Sequence, residues 1–380
     1  MKKRFSPLSF LAAVGAGGIS VIPFAFLNYT LEHPKGLIKI GDISFSSYDF
    51  LNKILFFSLE SVMIVFSIIH FVFLFYLIYE LVLFIKSDEF DSFMNNPLKN
   101  FAILTPFIAL VMSMNVIIGP VRFFTPLLSD NLQSFMLPAL IFWLGIFLSF
   151  FVFEMKVIKT NFVSPIDLKK IGFGWLIDVF ALSMVAVTGS GIAALSTSSS
   201  IASVAAFFSL MAALMAMFFL FIKLVLVFQR HYADSSLPEK QFLPGFLNVV
   251  PTITLLSITF FRLAHYFSHH SGLDAGWFYT IVITSGFAFE TWYLIFGLYL
   301  LVHYFKHYHF EKEHFASQWA LVCPFVAYAV LSAFTYSFFV PSIIFKTISI
   351  ISMIIAIIVF FDLLIKFLFC KRGKYSCEEA

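Results

Sequence analysis

Long apolar segments separated by short polar ones dominate the pattern of this chain. Each apolar segment runs for about 20 to 30 residues, which is long enough for a helix to cross a hydrocarbon layer about 30 Å thick. Because the backbone in lipid must satisfy its own hydrogen bonds, each segment is predicted to be a helix. The predicted spans are 9–29, 54–86, 100–119, 134–158, 171–195, 200–229, 245–267, 276–306, 315–338 and 341–369. The pattern predicts an all-α, polytopic membrane protein with ten transmembrane helices.

The predicted spans alternate between two kinds. Four odd-numbered spans contain an interior proline, at Pro23, Pro106, Pro251 and Pro324, and the fifth contains several glycines. Proline frees a backbone carbonyl that only protein or water can satisfy in a membrane, so we expect the odd helices to face an interior. From the third span onward the odd spans recur about every 70 to 74 residues, which is typical of a repeated unit. We therefore expect five helical hairpins around a central pore, although prolines are also common in membrane helices in general.

The distribution of lysine and arginine predicts the orientation. If the N-terminus lies inside, 17 of these residues fall on the cytoplasmic side and 6 on the outer side. Cytoplasmic loops carry the excess of positive charge, so both termini are predicted to be cytoplasmic. The expected organisation is a cytoplasmic N-terminus (1–8), a transmembrane domain (9–369) and a cytoplasmic tail (370–380) in the plasma (inner) membrane.

Composition and motifs exclude several classes of protein. Hydrophobic residues make up 61% of the chain and charged residues 12%, about half the charge of a soluble domain. A soluble enzyme, a nucleic-acid binder and a disordered chain are therefore set aside. We expect no metal site, because the three cysteines have no ligand spacing, and they imply no disulfide framework. With no Gly-rich phosphate loop and no nucleophile motif, we expect neither a cofactor nor an enzyme.

Two short motifs resemble the tellurite-resistance/dicarboxylate transporter family. The segment Ser9–Gly18 resembles the F-x-x-x-M-G-T-G-G signature of its first helix, and departs from it at Val14 and Ala16. The segment Gln318–Pro324 resembles the W-[AS]-[FY]-[ST]-F-[PG] motif of its ninth helix, with departures from Leu321 to Cys323. The family includes TehA, yeast malate and sulfite permeases and plant guard-cell slow anion channels.

The resemblance implies an assembly and a function. It implies a homotrimer in the lipid bilayer, in which each protomer has its own pore lined by five inner helices. Small anions would pass without ATP, and the substrates of the family range over chloride, nitrate, sulfite, tellurite and C4-dicarboxylates such as malate.

The resemblance also locates a gate. In the family, a phenylalanine before the Pro or Gly of the ninth-helix motif occludes the pore, and that position is Cys323 here, before Pro324. Leu321 and Phe325 are each two residues away, about 200° around a helix. We therefore expect Cys323 to face the path and a phenylalanine from another inner helix to close it. The alternatives are a less occluded path, a block by Leu321 or Phe325, and a Cys323 that is merely packed as a small hydrophobe.

Small and hydroxyl residues on the odd spans are candidates for the pore wall. A fixed charge in mid-membrane costs several kcal/mol, whereas broken helices offer exposed N–H groups and helix dipoles that favour anions. The alternative role of such residues is close packing between helices. The candidates besides the prolines are Gly15, Gly17, Gly18, Ser20, Thr105, Ser183, Thr188, Ser190, Thr252, Ser257 and Ser332.

Ionisable residues inside the spans form a second group of candidates. Glu290 and Asp178 are possible proton carriers, because an intramembrane carboxylate is costly unless it has a function. Glu290 is alternatively a structural carboxyl, hydrogen-bonded between helices or paired with Lys223, and Asp178 a capped or solvent-reaching one. Arg262 and His265 are predicted to form a basic outer vestibule that concentrates anions.

Three functions remain open at this point. The first is a channel or uniporter for small anions, and the second is a proton-coupled carrier of a dicarboxylate or an oxyanion. The third is a membrane sensor or scaffold that transports nothing.

Overall fold

The fold consists of ten long helices, as the apolar pattern predicts. The computed structural model describes residues 5–34, 36–44, 48–165, 171–234, 239–272 and 274–378. Within them, ten helices are long and apolar enough to cross a membrane. They are α1 (Pro7–Thr30), α2 (Phe50–Ile85), α3 (Asn100–Phe124), α4 (Leu132–Val163), α5 (Phe173–Leu195), α6 (Ser199–Ala233), α7 (Leu243–His270), α8 (Gly276–Leu300), α9 (Ala316–Phe338) and α10 (Ile343–Lys371).

Burial separates the helices into the two predicted kinds. In the odd helices, between 67% and 100% of the most apolar stretch is buried, compared with 28% to 39% in the even helices. Each odd helix packs against the next odd helix, and α9 packs against α1, so the five odd helices form a closed inner ring. The even helices lie outside this ring with many exposed Phe, Leu and Ile side chains, as lipid-facing helices do.

Every inner helix begins in the same way. A short stretch of 3₁₀-helix precedes the α-helical part, at Pro7–Ser9, Asn100–Leu104, Phe173–Leu176, Leu243–Asn248 and Ala316–Leu321. Because the helices alternate in direction, all five starts lie on one side of the ring, on which α10 also ends at Lys371. We call this side the terminal side, and the opposite one the far side.

Small residues let the outer helices approach the inner ring. A Cβ atom at Gly189 would overlap the ring of Trp143, whose indole N–H donates to the Val185 carbonyl at 3.0 Å. A Cβ at Gly17 would overlap His70 of α2. The imidazole of His70 is within 2.7 Å of the Ala13 carbonyl oxygen and so ties α2 to α1. At Gly17 and Gly189, therefore, the small residue serves helix packing.

Arg122 closes the far end of α3. The helix widens into a π-helical turn at Ile117–Val121, around Pro120, and continues to Phe124. The buried guanidinium of Arg122 donates to the Ile118 carbonyl at 2.9 Å and to the Ile38 carbonyl at 2.5 Å. Arg122 thus fixes the loop between α1 and α2 instead of offering a free surface charge.

The C-terminal segment returns to the start of α9. Strand β2 (Ser376–Glu378) pairs in parallel with β1 (Glu313–Phe315). Gly373, with a φ of 72°, reverses the chain after α10, a conformation that glycine adopts at little cost. This reversal brings Cys377 to Cys370, and the two form a disulfide. The three cysteines implied no disulfide framework, and this single pair was missed because the sequence does not show that the tail folds back.

Candidate functional site: two cavities on the axis of the inner ring

A large cavity occupies the far half of the inner ring. Its volume is about 420 Å³, and all five inner helices contribute to its wall. It extends from the level of Val14 and Cys323 to the loop between α1 and α2, where Leu37 lines it. We call it the far cavity. Ligand pockets in proteins have volumes of about 300 to 1,000 Å³, so the far cavity has room for a hydrated ion or a small organic anion.

A second, smaller cavity lies at the terminal side of the same ring. Its volume is about 40 Å³, and residues from the terminal-side ends of all five inner helices line it. These residues include Leu11, Ala102, Ile177, Asn248 and Ala320. We call it the terminal cavity. Because the same five helices surround both cavities, the two lie on one axis.

One helical turn separates the two cavities. In four inner helices, the residue lining the terminal cavity and the residue lining the far cavity are three positions apart, about 4.5 Å along the helix. We call this turn the septum, and it is formed by Leu11–Val14, Ile177–Phe180, Asn248–Pro251 and Ala320–Cys323.

Phe180 is the largest side chain on the far face of the septum. Its neighbours there are Val14, Pro251 and Cys323, which are all smaller, and its own exposed fraction is 2%. A phenyl ring at this level is large enough to block water and ions, whereas the thiol of Cys323 leaves more space. Phe180 of α5 therefore lies at the level of Cys323, the α9 position at which the family motif has a phenylalanine.

The wall of the far cavity contains few polar groups. The Asn115 side chain donates to the Thr188 hydroxyl at 3.0 Å across α3 and α5. Arg262 donates from Nη1 to the Val187 carbonyl at 2.8 Å, against the small residue Gly191. Among the described residues that line the cavity, Arg262 is the one with a permanent charge. An anion in this cavity therefore meets one guanidinium and a mostly apolar wall.

Tyr29, Phe261 and Phe334 line the far cavity together with Arg262. The ring centroids of Tyr29 and Phe334 are 3.8 Å apart, and those of Phe261 and Phe334 are 5.6 Å apart. Apolar surroundings lower the local dielectric constant and strengthen the attraction between Arg262 and an anion.

The structure divides the predicted site residues into two groups. Six line the far cavity: Gly18, Thr188, Pro251, Cys323, Arg262 and His265. The other candidates lie outside both described cavities: Gly15, Gly17, Ser20, Pro23, Thr105, Pro106, Asp178, Ser183, Ser190, Thr252, Ser257, Glu290, Leu321, Pro324, Phe325 and Ser332.

Three candidate hydroxyl groups that do not line the far cavity donate to backbone carbonyls of their own helices. Ser183 donates to the Val179 carbonyl at 2.8 Å, and Thr252 donates to the Asn248 carbonyl at 2.9 Å. Ser20 donates to the Gly17 carbonyl at 2.7 Å. These bonds satisfy buried hydroxyls.

Glu290 has the first of its two structural alternatives, a hydrogen bond between helices, because it accepts from the Thr254 hydroxyl of α7. The second alternative, a pairing with Lys223, was wrong, since the Lys223 ammonium group forms a buried ion pair with Asp178 of α5. Asp178 is accordingly a buried, paired carboxylate and does not reach solvent. Lys223 and Asp178 lie on adjacent helices of one hairpin, a proximity that the sequence pattern does not reveal.

Comparison with known proteins identifies the family. The sequence model of the voltage-dependent anion channels, SLAC1, matches residues 4–368. The chain belongs to this family. The family consists of anion channels and transporters, not enzymes, which confirms the resemblance drawn from the two motifs. No curated protein matches the chain.

Cys323 offers a chemical probe of the far cavity. In a variant with Cys370→Ser and Cys377→Ser, we expect a negatively charged thiol reagent added from the far side to modify Cys323 and reduce anion flux. We also expect Cys323→Phe to lower flux, because a phenyl ring fills the floor of the cavity. Mass spectrometry and a flux assay measure the two effects.

Ser332→Cys in a Cys323→Ala background is the matched control. Ser332 is on the same helix but donates to the Phe345 carbonyl of α10 at 2.8 Å, away from the cavity. An unlabelled Cys323 together with normal flux through Cys323→Phe would contradict the assignment of Cys323 to the path.

Proposed function

We propose that this protein passes small anions down their electrochemical gradient along the axis of the inner ring. The observation that carries this proposal is the pair of coaxial cavities, separated by a septum one helical turn thick. A thin barrier between two water-accessible spaces is the arrangement expected of a gated path.

The charges along the axis favour anions at both ends. On the far side, Arg262 attracts an anion but also bonds a backbone carbonyl, so its charge is partly compensated. On the terminal side, the N-termini of five helices converge around the terminal cavity, and each N-terminus carries partial positive charge. Lys99 lines the same cavity. Weak attraction at both ends lets an anion enter and also leave.

The orientation, the membrane, the oligomeric state and the substrates that we propose are based on the charge pattern and on the family. We propose that the terminal side faces the cytoplasm, which places both termini inside, and that the protein lies in the plasma (inner) membrane. We also propose a homotrimer with one path in each protomer. The proposed substrates are chloride, nitrate, sulfite, tellurite or a C4-dicarboxylate such as malate.

Buried carboxyls support the second candidate function, a proton-coupled carrier of a dicarboxylate or an oxyanion. Glu154, Asp178 and Glu290 are almost completely inaccessible within the membrane-spanning helices. Intramembrane carboxyls are typical of proton relays. A carrier of this kind requires a pH gradient for accumulation of the anion, whereas a channel or uniporter does not.

Flux into proteoliposomes tests the proposed function. With purified protein, no ATP and equal pH on both sides, we expect uptake of chloride, nitrate or malate above that of empty liposomes. Uptake that requires a pH gradient would show the proton-coupled carrier. Absence of flux for every anion would favour a sensor or scaffold.

A further inference from the structure

Three buried ionisable side chains lie on neighbouring, packed helices, outside both cavities. They are Glu154 of α4, Asp178 of α5 and Lys223 of α6, with exposed fractions of 0%, 1% and 5%. Asp178 and Lys223 form an ion pair, and Glu154 interacts electrostatically with both. We call these three residues the triad.

The charges of the triad do not balance if all three residues are ionised. Lys223 neutralises Asp178, which leaves the negative charge of Glu154 without a counter-charge. Neither carboxylate oxygen of Glu154 has a hydrogen-bond partner among the described residues. A buried carboxylate without partners is costly, and binding one proton removes the charge.

Other charged groups near the triad do not compensate Glu154. On α4, Lys156 is exposed and lies over the Phe153 ring at 5.3 Å. Arg230 of α6 donates to the Ile171 carbonyl. The one ionisable side chain of α3 is Arg122, at the far end of that helix. The facing charges are thus those of Asp178 and Lys223.

The triad adjoins the helical turn that carries the candidate gate. Asp178 lies between Ile177, which lines the terminal cavity, and Phe180, which lines the far cavity. Lys223 also donates to the Trp175 carbonyl at 3.1 Å, in the 3₁₀ stretch that starts α5. A charge held at the triad therefore acts on an anion in the septum through one helix.

We propose that the triad is a proton-binding site that regulates anion passage, with the proton on the Glu154 carboxylate. This inference rests on the proposed function for its effect, and on the geometry of the triad for the site itself. At high pH the triad carries one net negative charge and repels anions from the septum. At low pH it is neutral, and the repulsion is absent.

Flux at equal pH on both sides of the membrane tests the regulatory effect. We expect wild-type flux to rise on the order of ten-fold from pH 8 to pH 5, as removal of a unit charge about 10 Å from the path would produce. We expect Glu154→Gln to be insensitive to pH and to pass anions at pH 8 as fast as the wild type does at pH 5.

Glu290→Gln distinguishes the triad from the other candidate proton site. Glu290 is an equally buried carboxyl, but it is bonded to a threonine hydroxyl and has no ion pair among the described residues. We expect it to retain the pH dependence of the wild type. Loss of the pH dependence in Glu290→Gln but not in Glu154→Gln would overturn the proposal, and so would a wild-type flux that is constant from pH 5 to pH 8.

Infrared spectroscopy tests proton binding without any flux. In the wild type in lipid, we expect a protonated-carboxyl band that disappears on raising the pH and that Glu154→Gln lacks. Thermal unfolding of both variants confirms that they fold. Absence of flux at every pH would reject the proposed function, but the infrared band would still show whether Glu154 binds a proton. An unchanged band in Glu154→Gln would reject Glu154 as the proton site.

Discussion

Phe180→Ala is expected to raise anion flux on the order of ten-fold, which corresponds to about 1.4 kcal/mol off the barrier. The phenyl ring is the largest group on the far face of the septum, and the terminal cavity begins one turn away at Ile177. We expect removal of the ring to open the septum between the two cavities. Initial rates of uptake into proteoliposomes, normalised to the amount of protein inserted, measure the change.

Phe325→Ala is the matched control for the gate. Phe325 is also buried, but it lies on α9 outside both cavities. We expect it to leave the flux unchanged, and we expect Phe180→Leu to give an intermediate rate. If Phe180→Ala folds and transports at the wild-type rate, Phe180 does not close the path.

Arg262→Gln is expected to reduce anion flux by ten-fold to a hundred-fold. A guanidinium about 5 to 10 Å from an anion in a partly buried site contributes about 2 to 3 kcal/mol of attraction. Glutamine retains a hydrogen-bond donor for the Val187 carbonyl but carries no charge. Arg262→Lys restores the charge and should recover part of the flux, which the same uptake assay measures.

Arg122→Gln separates charge in the cavity from charge elsewhere. Arg122 is buried at the same side of the protein, but its guanidinium bonds the Ile38 and Ile118 carbonyls and does not line the cavity. We expect a loss of thermal stability with little change in flux per folded protein. Equal losses of flux in Arg122→Gln and Arg262→Gln would show that Arg262 has no special role.

The arrangement of the helices could be predicted from the sequence because the membrane imposes it. Spans of sufficient length, interior prolines and the regular recurrence of the odd spans together predicted ten helices in two kinds. The burial of the odd helices and the exposure of the even ones confirm that prediction. The resemblance of the α9 motif singled out Cys323, and helix geometry turned Leu321 and Phe325 away from it. Cys323 lines the far cavity, and neither neighbour does.

The identity of the bulky residue in the septum could not be read in this way. The chain contains 55 phenylalanines, and an apolar ring has no polar signal that distinguishes a gate from a lipid contact. Phe180 stands out only when the two cavities are seen to end one turn apart.

The ionic contacts could not be predicted from the sequence either. Lys223, Asp178 and Glu154 lie on three consecutive helices, and their proximity depends on helix rotation, which an uninterrupted apolar pattern does not specify. The excess of one negative charge among these three residues is recognised only after the pairing of Lys223 with Asp178 is known.

The reversal potential of the current through the purified protein in a planar bilayer tests the central claim most directly. With a ten-fold gradient of potassium chloride at equal pH, conduction by chloride predicts a reversal near the chloride equilibrium potential, about 59 mV in magnitude. Phe180→Ala should increase this current and keep its reversal potential. A reversal at the potassium potential, which has the opposite sign, or the absence of any current in both proteins would contradict an anion path along the axis of the inner ring.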